Sequence, residues 1–173
     1  MPIFVMIFLF FVLIFSRIYD IIKEKYKEVL TMYDARKIAD YVITYYDKTD
    51  WVISNLKLQK VLYFLQAQYL VSTGNKLFED EIEAWDFGPV VPSVYHEYKI
   101  FGSACIPGFN KKMPCIASDD KVIVDTMLER LRNLSSTYLT QVTIRQNPWM
   151  RNYSSYCTRV IPTNEIRDYF KED

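Results

Sequence analysis

The stretch Leu56–Lys99 reads LKLQKVLYFLQAQYLVSTGNKLFEDEIEAWDFGPVVPSVYHEYK. Its first half is helical in pattern, with Leu58, Val61, Leu62, Leu65 and Tyr69 recurring at three- and four-residue spacing. Ser54 or Asn55 is placed to cap the start and Gly74 to mark the end, which predicts a helix of about five turns laying one apolar face on a core. After a polar turn, Ile82–Phe87 reads as a short strand with Trp85 and Phe87 on one side. Gly88-Pro89 breaks that strand, and Pro92 suits the first position of another helix whose run ends at Gly102.

Outward from this stretch the pattern stays helical. Upstream, Ile38, Ala39, Val42, Ile43 and Tyr46 make a buried stripe, with Asp34 as a cap at the positive end of the helix dipole. Thr49-Asp50-Trp51 begins the connection to the central helix. Downstream, Phe101–Asp120 has no apolar period and reads as a loop with room for one short strand. Asp119 or Asp120 caps a helix bearing Val122 or Ile123, Met127, Leu128, Leu131 and Leu134. Ser135-Ser136 restarts a shorter one through Tyr138, Leu139 and Val142, which Pro148 ends, with Trp149 plugging the core beside it. Thr158–Ile161 reads as a strand stopped by Pro162, and Thr163 caps a last helix, Asn164 to about Lys171, burying Ile166 and Phe170. The fold class is therefore mainly α (α+β): a compact helical domain with a two- or three-stranded β element built from Ile82–Phe87 and Thr158–Ile161. Tyr41, Tyr45, Tyr46, Tyr63 and Tyr69 suit positions where the ring is buried and the hydroxyl stays wet.

An N-terminal hydrophobic helix precedes that domain. Residues 2–15, PIFVMIFLFFVLIF, are apolar without interruption, and a charged amphipathic run continues from Arg17 to Leu30. Fourteen apolar residues fall short of the roughly 20 that span a bilayer, and neither a basic start nor a small-residue cleavage site is present. Two readings stand side by side. Residues 1–31 are an extension that anchors residues 32–173 at the inner membrane on its cytoplasmic side, as Arg17, Lys23, Lys25 and Lys27 would favour, or translation starts at Met32 and the product is cytoplasmic. The membrane is a partner only in the first case.

Composition narrows the chemistry. Charge is balanced, 21 basic against 21 acidic residues, and no aromatic-plus-arginine ladder stands out, so nucleic acid is not an expected partner. Cys105, Cys115 and Cys157 form no close pair and read as free thiols of a reducing compartment. With one histidine, His96, and no CxxC, no metal or other cofactor is expected. No Gly-rich phosphate cradle, HExxH or GxSxG occurs, so no catalytic residue is assigned and the chain reads as a non-enzyme. A small hydrolase or nuclease using His96 with a cysteine, or with the acidic run Glu79-Asp80-Glu81-Glu83, is the least favoured alternative.

Gly88-Pro89-Val90-Val91-Pro92 is the feature that most invites a function. Glycine permits a positive φ, and two prolines stiffen the loop so that it loses little entropy on binding. Val90 and Val91, edged by Trp85 and Tyr95, would offer an apolar spot to a partner; the plainer alternative is a turn that steers strand into helix while Trp85 fills the core. Partner-binding residues are thus expected among Trp85, Gly88, Pro89, Val90, Val91, Pro92 and Tyr95.

The same residues carry a family resemblance. LKLQKVLYF at Leu56–Phe64, the stop at Gly74, IEAWDFGPVVPSVY at Ile82–Tyr95, EYK at Glu97–Lys99, Pro148-Trp149 and IPTNEIRDYF at Ile161–Phe170 together resemble the Panacea domain of SocA-like antitoxins. The likeness covers roughly residues 33 to 170, with W-x-x-G-P-V-V-P as its most specific part. One departure is visible: Thr143-Ile144 stands where the family often carries Thr-His. The resemblance implies an antitoxin of a type II toxin–antitoxin system that binds a cognate protein toxin, in SocA-like members as an adaptor to a ClpXP-type protease. The alternative from another class is a membrane-tethered interaction protein anchored by residues 2–30.

Overall fold

A computed structural model describes residues 14–19, 32–108 and 112–172. Most of the apolar N-terminal segment lies outside them; residues 14–19 are helical and exposed. Helix α1 spans Ala35–Lys48 and the central helix α2 spans Asn55–Thr73. Strands β1 (Glu83–Trp85) and β2 (Gly88–Val90) follow, then α3 (Pro92–Tyr98), continued by a 3-10 turn at Lys99–Phe101. The chain closes with α4 (Ser118–Leu131), α5 (Ser136–Thr143), α6 (Asn147–Asn152) and α7 (Thr163–Glu172). The architecture is mainly α with a small antiparallel sheet. Among the described residues no helix is long and apolar enough to cross a membrane.

Side chains set the helix ends where local chemistry demands. Asp34 accepts the N–H of Arg36, Ser54 that of Lys57 and Ser135 that of Tyr138, each satisfying a donor that the first turn leaves free. Gly74 closes α2 in the left-handed region at φ 77°. Pro92 opens α3, where a missing N–H costs nothing. Pro148 likewise lies in the first turn of α6 and so opens a helix rather than ending one. Helix α4 starts at Ser118, so Asp119 and Asp120 occupy its first turn instead of capping it.

Helix α2 is the axis of the fold. It packs against α1, α3, α4, α5, α7 and β2. From Asn55 to Leu70 only Leu56 and Gln68 escape burial, so the expected single apolar face gives way to a helix enclosed all round. Five polar side chains, Asn55, Lys57, Gln59, Lys60 and Gln66, are enclosed with it, and each bonds the main chain of a surrounding segment, Asn55 through Tyr95 O. Lys57 Nζ donates to Arg132 O at 2.7 Å and Lys60 Nζ to Pro89 O at 2.9 Å. Gln59 Oε1 accepts the N–H of Val91, while Gln66 takes the N–H groups of Leu77 and Phe78 and donates to Phe78 O. Most buried polar groups are satisfied in this way, because an unpaired one costs free energy.

A tyrosine seam joins α1 to α4. Tyr41 donates to Asp125, Tyr45 to Glu129 and Tyr46 to Leu128 O. Tyr33 and Tyr69 both donate to buried Asp120, at 2.6 and 2.8 Å. Tyr63 gives its hydroxyl to Gln146 inside the fold. The hydroxyls of Tyr46, Tyr63 and Tyr69, expected to stay wet, are thus held by the protein.

The sheet differs from expectation in its second strand. β1 pairs antiparallel with β2, Trp85 opposite Gly88 and Glu83 opposite Val90, so Gly88-Pro89 is a strand and Asp86-Phe87 is the turn. Gly88 at φ 95° lets the chain reverse, and Pro89 is tolerated because β2 is an edge strand. The Thr158–Ile161 run contributes one bridge, Glu83 to Val160, with the N–H of Ala84 on Arg159 O and that of Ile161 on Ile82 O.

Candidate functional site

The hairpin, the first turns of α2 and α3 and the segment 154–158 enclose a groove of about 720 Å³. Its floor is Asn55, Gln59, Ala84 and Val90; its walls include Leu56, Trp85, Phe87, Tyr95, Lys99 and Tyr156. Phe87, at the hairpin tip, is 69% exposed, and Tyr156, from the segment 154–158, is 97% exposed. Two aromatic rings facing solvent beside a concave floor lie outside the hydrophobic core.

Trp85 is fixed from several sides. Its ring meets Tyr95 edge-on at 4.9 Å and His96 at 6.2 Å, its indole N–H donates to Glu83, and its carbonyl accepts the indole N–H of Trp149. Trp149 stacks on Tyr153 at 4.4 Å, whose hydroxyl donates to Asp86. Trp85 is half-buried and does not fill the core; Trp149 packs partly against it.

Below the wall runs a ladder of polar side chains from α2. Asn55 Nδ2 donates to Tyr95 O at 3.1 Å, Gln59 Nε2 to Asn55 Oδ1 at 3.0 Å, and Val91 N to Gln59 Oε1 at 2.9 Å. Lys60 extends it to Pro89 O. The Lys60 side chain is wholly buried, and burial pulls its amine down to about 7. At the far rim, the Arg159 guanidinium and the Ser154 hydroxyl draw the exposed Cys157 thiol below its usual range.

Of the residues expected to meet a partner, Trp85, Val90 and Tyr95 line the groove. Gly88 and Pro89 are buried in β2, and Pro92 is half-buried at the start of α3. Val91 is wholly enclosed and belongs to the core, so the apolar spot drawn from both valines reduces to Val90 at the groove floor. Phe87, Leu56 and Tyr156 also line the groove and are not among the expected partner residues; Phe87 shows in sequence only as the residue sharing a strand side with Trp85, and Leu56 as a large apolar side chain off the buried stripe. His96 is exposed beside Trp85 and Tyr95. In the acidic run, Asp80 accepts the Ser93 hydroxyl and the N–H of Ala35, and Glu83 the indole of Trp85. Among the described residues no group of three metal-ligating side chains comes together.

The family described as "Antitoxin SocA-like, Panacea domain" matches residues 58–150, more than half of the chain and all of the hairpin. The chain belongs to that family. The "Antitoxin SocA" of Caulobacter vibrioides (strain NA1000 / CB15N) is 44% identical over 69 residues, 40% of this chain and 37% of the relative. The match thus spans little more than a third of that relative's length. No solved structure matches. In this Panacea domain the family match takes in α2 from Leu58, the hairpin and Tyr95, whereas 154–158, which closes the groove, lies beyond it.

Proposed function

We propose that the chain is an antitoxin that neutralises a protein toxin by direct, non-catalytic contact, made by residues 32–173 through the groove beside the hairpin. The observation that carries this reading is the pair of exposed aromatic rings, Phe87 and Tyr156, set over a concave floor whose walls are held rigidly by hydrogen bonds. Buried aromatic anchors dominate protein interfaces, and a preorganised wall lowers the entropy lost on docking. Family membership supplies the kind of partner. The exposed free thiols Cys105, Cys115 and Cys157 suit a cytoplasmic encounter.

The test is growth of cells expressing the protein encoded beside this gene, alone and with the full chain. Arrest by the neighbour and rescue by the wild-type chain are expected. A Phe87→Ser, Tyr156→Ser double variant should lose rescue while its melting temperature stays within the scatter of surface substitutions, about 0.5 kcal/mol in stability. A harmless neighbour, or full rescue by the double variant, would defeat the reading.

A further inference from the structure

We infer that Lys60, together with Gln59 and Asn55, is a positioning residue of the groove: these side chains fix the main chain of its wall from Pro89 to Tyr95 against α2. The inference rests on the proposed toxin contact for its purpose, and on the geometry of the wall for its substance.

The wall cannot hold itself in place. Pro89 and Pro92 have no N–H, and β2 has a partner strand on one side only. Its outer main-chain groups would be left unpaired in a buried place without help from α2. Lys60 takes the carbonyl of Pro89 at 2.9 Å, Gln59 the N–H of Val91 at 2.9 Å and Asn55 the carbonyl of Tyr95 at 3.1 Å. Gln59 and Asn55 are further joined at 3.0 Å, which locks both amides in one orientation. The clamped segment carries Val90 and Tyr95 of the groove, and Trp85 pairs with Gly88, the residue just before it.

Core packing alone does not call for an amine here. A methionine would fill nearly the same volume without the cost of enclosing a charged or hydrogen-bonding head. The backbone is adapted to the lysine: a Cβ on Gly88 would lie 2.9 Å from Lys60 Nζ and 2.7 Å from Thr143 Oγ1. What the amine adds over a thioether is direction, a donor aimed at one carbonyl of the wall.

The deciding experiment is hydrogen–deuterium exchange by mass spectrometry on the full chain, comparing Lys60→Met and Gln59→Met with wild type. Lys57→Met is the control, since the Lys57 amine bonds Arg132 O at 2.7 Å, away from the wall. Lys60→Met should melt no lower than wild type, yet its peptide covering residues 87–95 should exchange about tenfold faster, the opening expected for one lost hydrogen bond. The α4 peptide, residues 118–131, should be unchanged, and Lys57→Met should leave 87–95 as in wild type. Unchanged exchange at 87–95 in both wall variants would overturn the inference, as would a rise shared equally by α4. Capture of the co-expressed neighbouring gene product is the separate arm: Lys60→Met should retain about a tenth of wild-type capture or less, following the same opening. If wild type captures none, the toxin reading falls while the exchange result still decides the positioning role.

Discussion

The buried amine of Lys60 makes stability depend on pH in a definite direction. Its value in the folded chain, about 7, lies below the ordinary 10.5, so between those limits the unfolded chain binds a proton that the folded one does not. Stability therefore rises with pH through this window and levels off below it. Lys57, drawn down by burial as well, adds a contribution of the same sign. From pH 7 to pH 9 the Lys60 term alone amounts to about 2 kcal/mol, and Lys60→Met should remove it. Urea midpoints at the two pH values check this; an unaltered difference in Lys60→Met would show that the amine is not the source. Val91, one side chain further along the wall, gives a second outcome. It is wholly enclosed, so Val91→Asp buries an unpaired carboxylate and should cost more than about 4 kcal/mol, visible as loss of the cooperative transition. The groove is better probed at Phe87, whose ring is already in water.

Two glycines of positive φ stand at element boundaries for different reasons, Gly74 closing α2 and Gly88 opening β2, and their substitutions should separate. Gly74 needs its left-handed φ of 77° to cap α2, but nothing lies within 4 Å of where a Cβ would stand. Gly74→Ala should cost about 1 kcal/mol, a few degrees in melting temperature. Gly88 combines a φ of 95° with a place where a Cβ would lie under 3 Å from Thr143 and Lys60, so Gly88→Ala should cost clearly more and shift the wall. Equal losses in the two variants would contradict the close packing at Gly88. The end of α2 was legible in sequence because a cap is a local event, decided within a few residues. So were the starts at Asp34, Ser54, Pro92 and Ser135. The strand at Gly88-Pro89 was not. A glycine and a proline in succession read as a break, and only the edge position and the meeting with Lys60 make them a strand. Trp85, Val90 and Tyr95 came from that same local signal, while Tyr156 reaches the groove through the Glu83–Val160 bridge, a pairing no spacing reveals.

At the scale of the molecule, the enclosure of α2 explains why a one-faced helix was expected and an encircled one found. Its polar residues at 57, 59, 60 and 66 look like a solvent face until their main-chain partners are known, and those lie 11 to 75 residues away. The tyrosines follow the same logic. Burial raises Tyr33 and Tyr45 to about 12, with bonds to Asp120 and Glu129 adding to the rise, and lifts Tyr41, Tyr46, Tyr63, Tyr69 and Tyr98 in the same direction. Each folded phenol keeps its proton above pH 10, where the unfolded one has lost it, so stability falls as pH rises beyond that point. These phenols belong to α1, α2, α3 and the lead into α1, and several tie them to α4; apart from Tyr45, whose hydroxyl lies at the surface, their ionisation is coupled to opening of the core. Alkaline titration should therefore release the buried phenolates in one cooperative step, coincident with the loss of helical circular dichroism. Absorbance at 295 nm followed beside the dichroism measures this, and a gradual rise in phenolate with helicity intact would mean that the seam between α1 and α4 opens on its own.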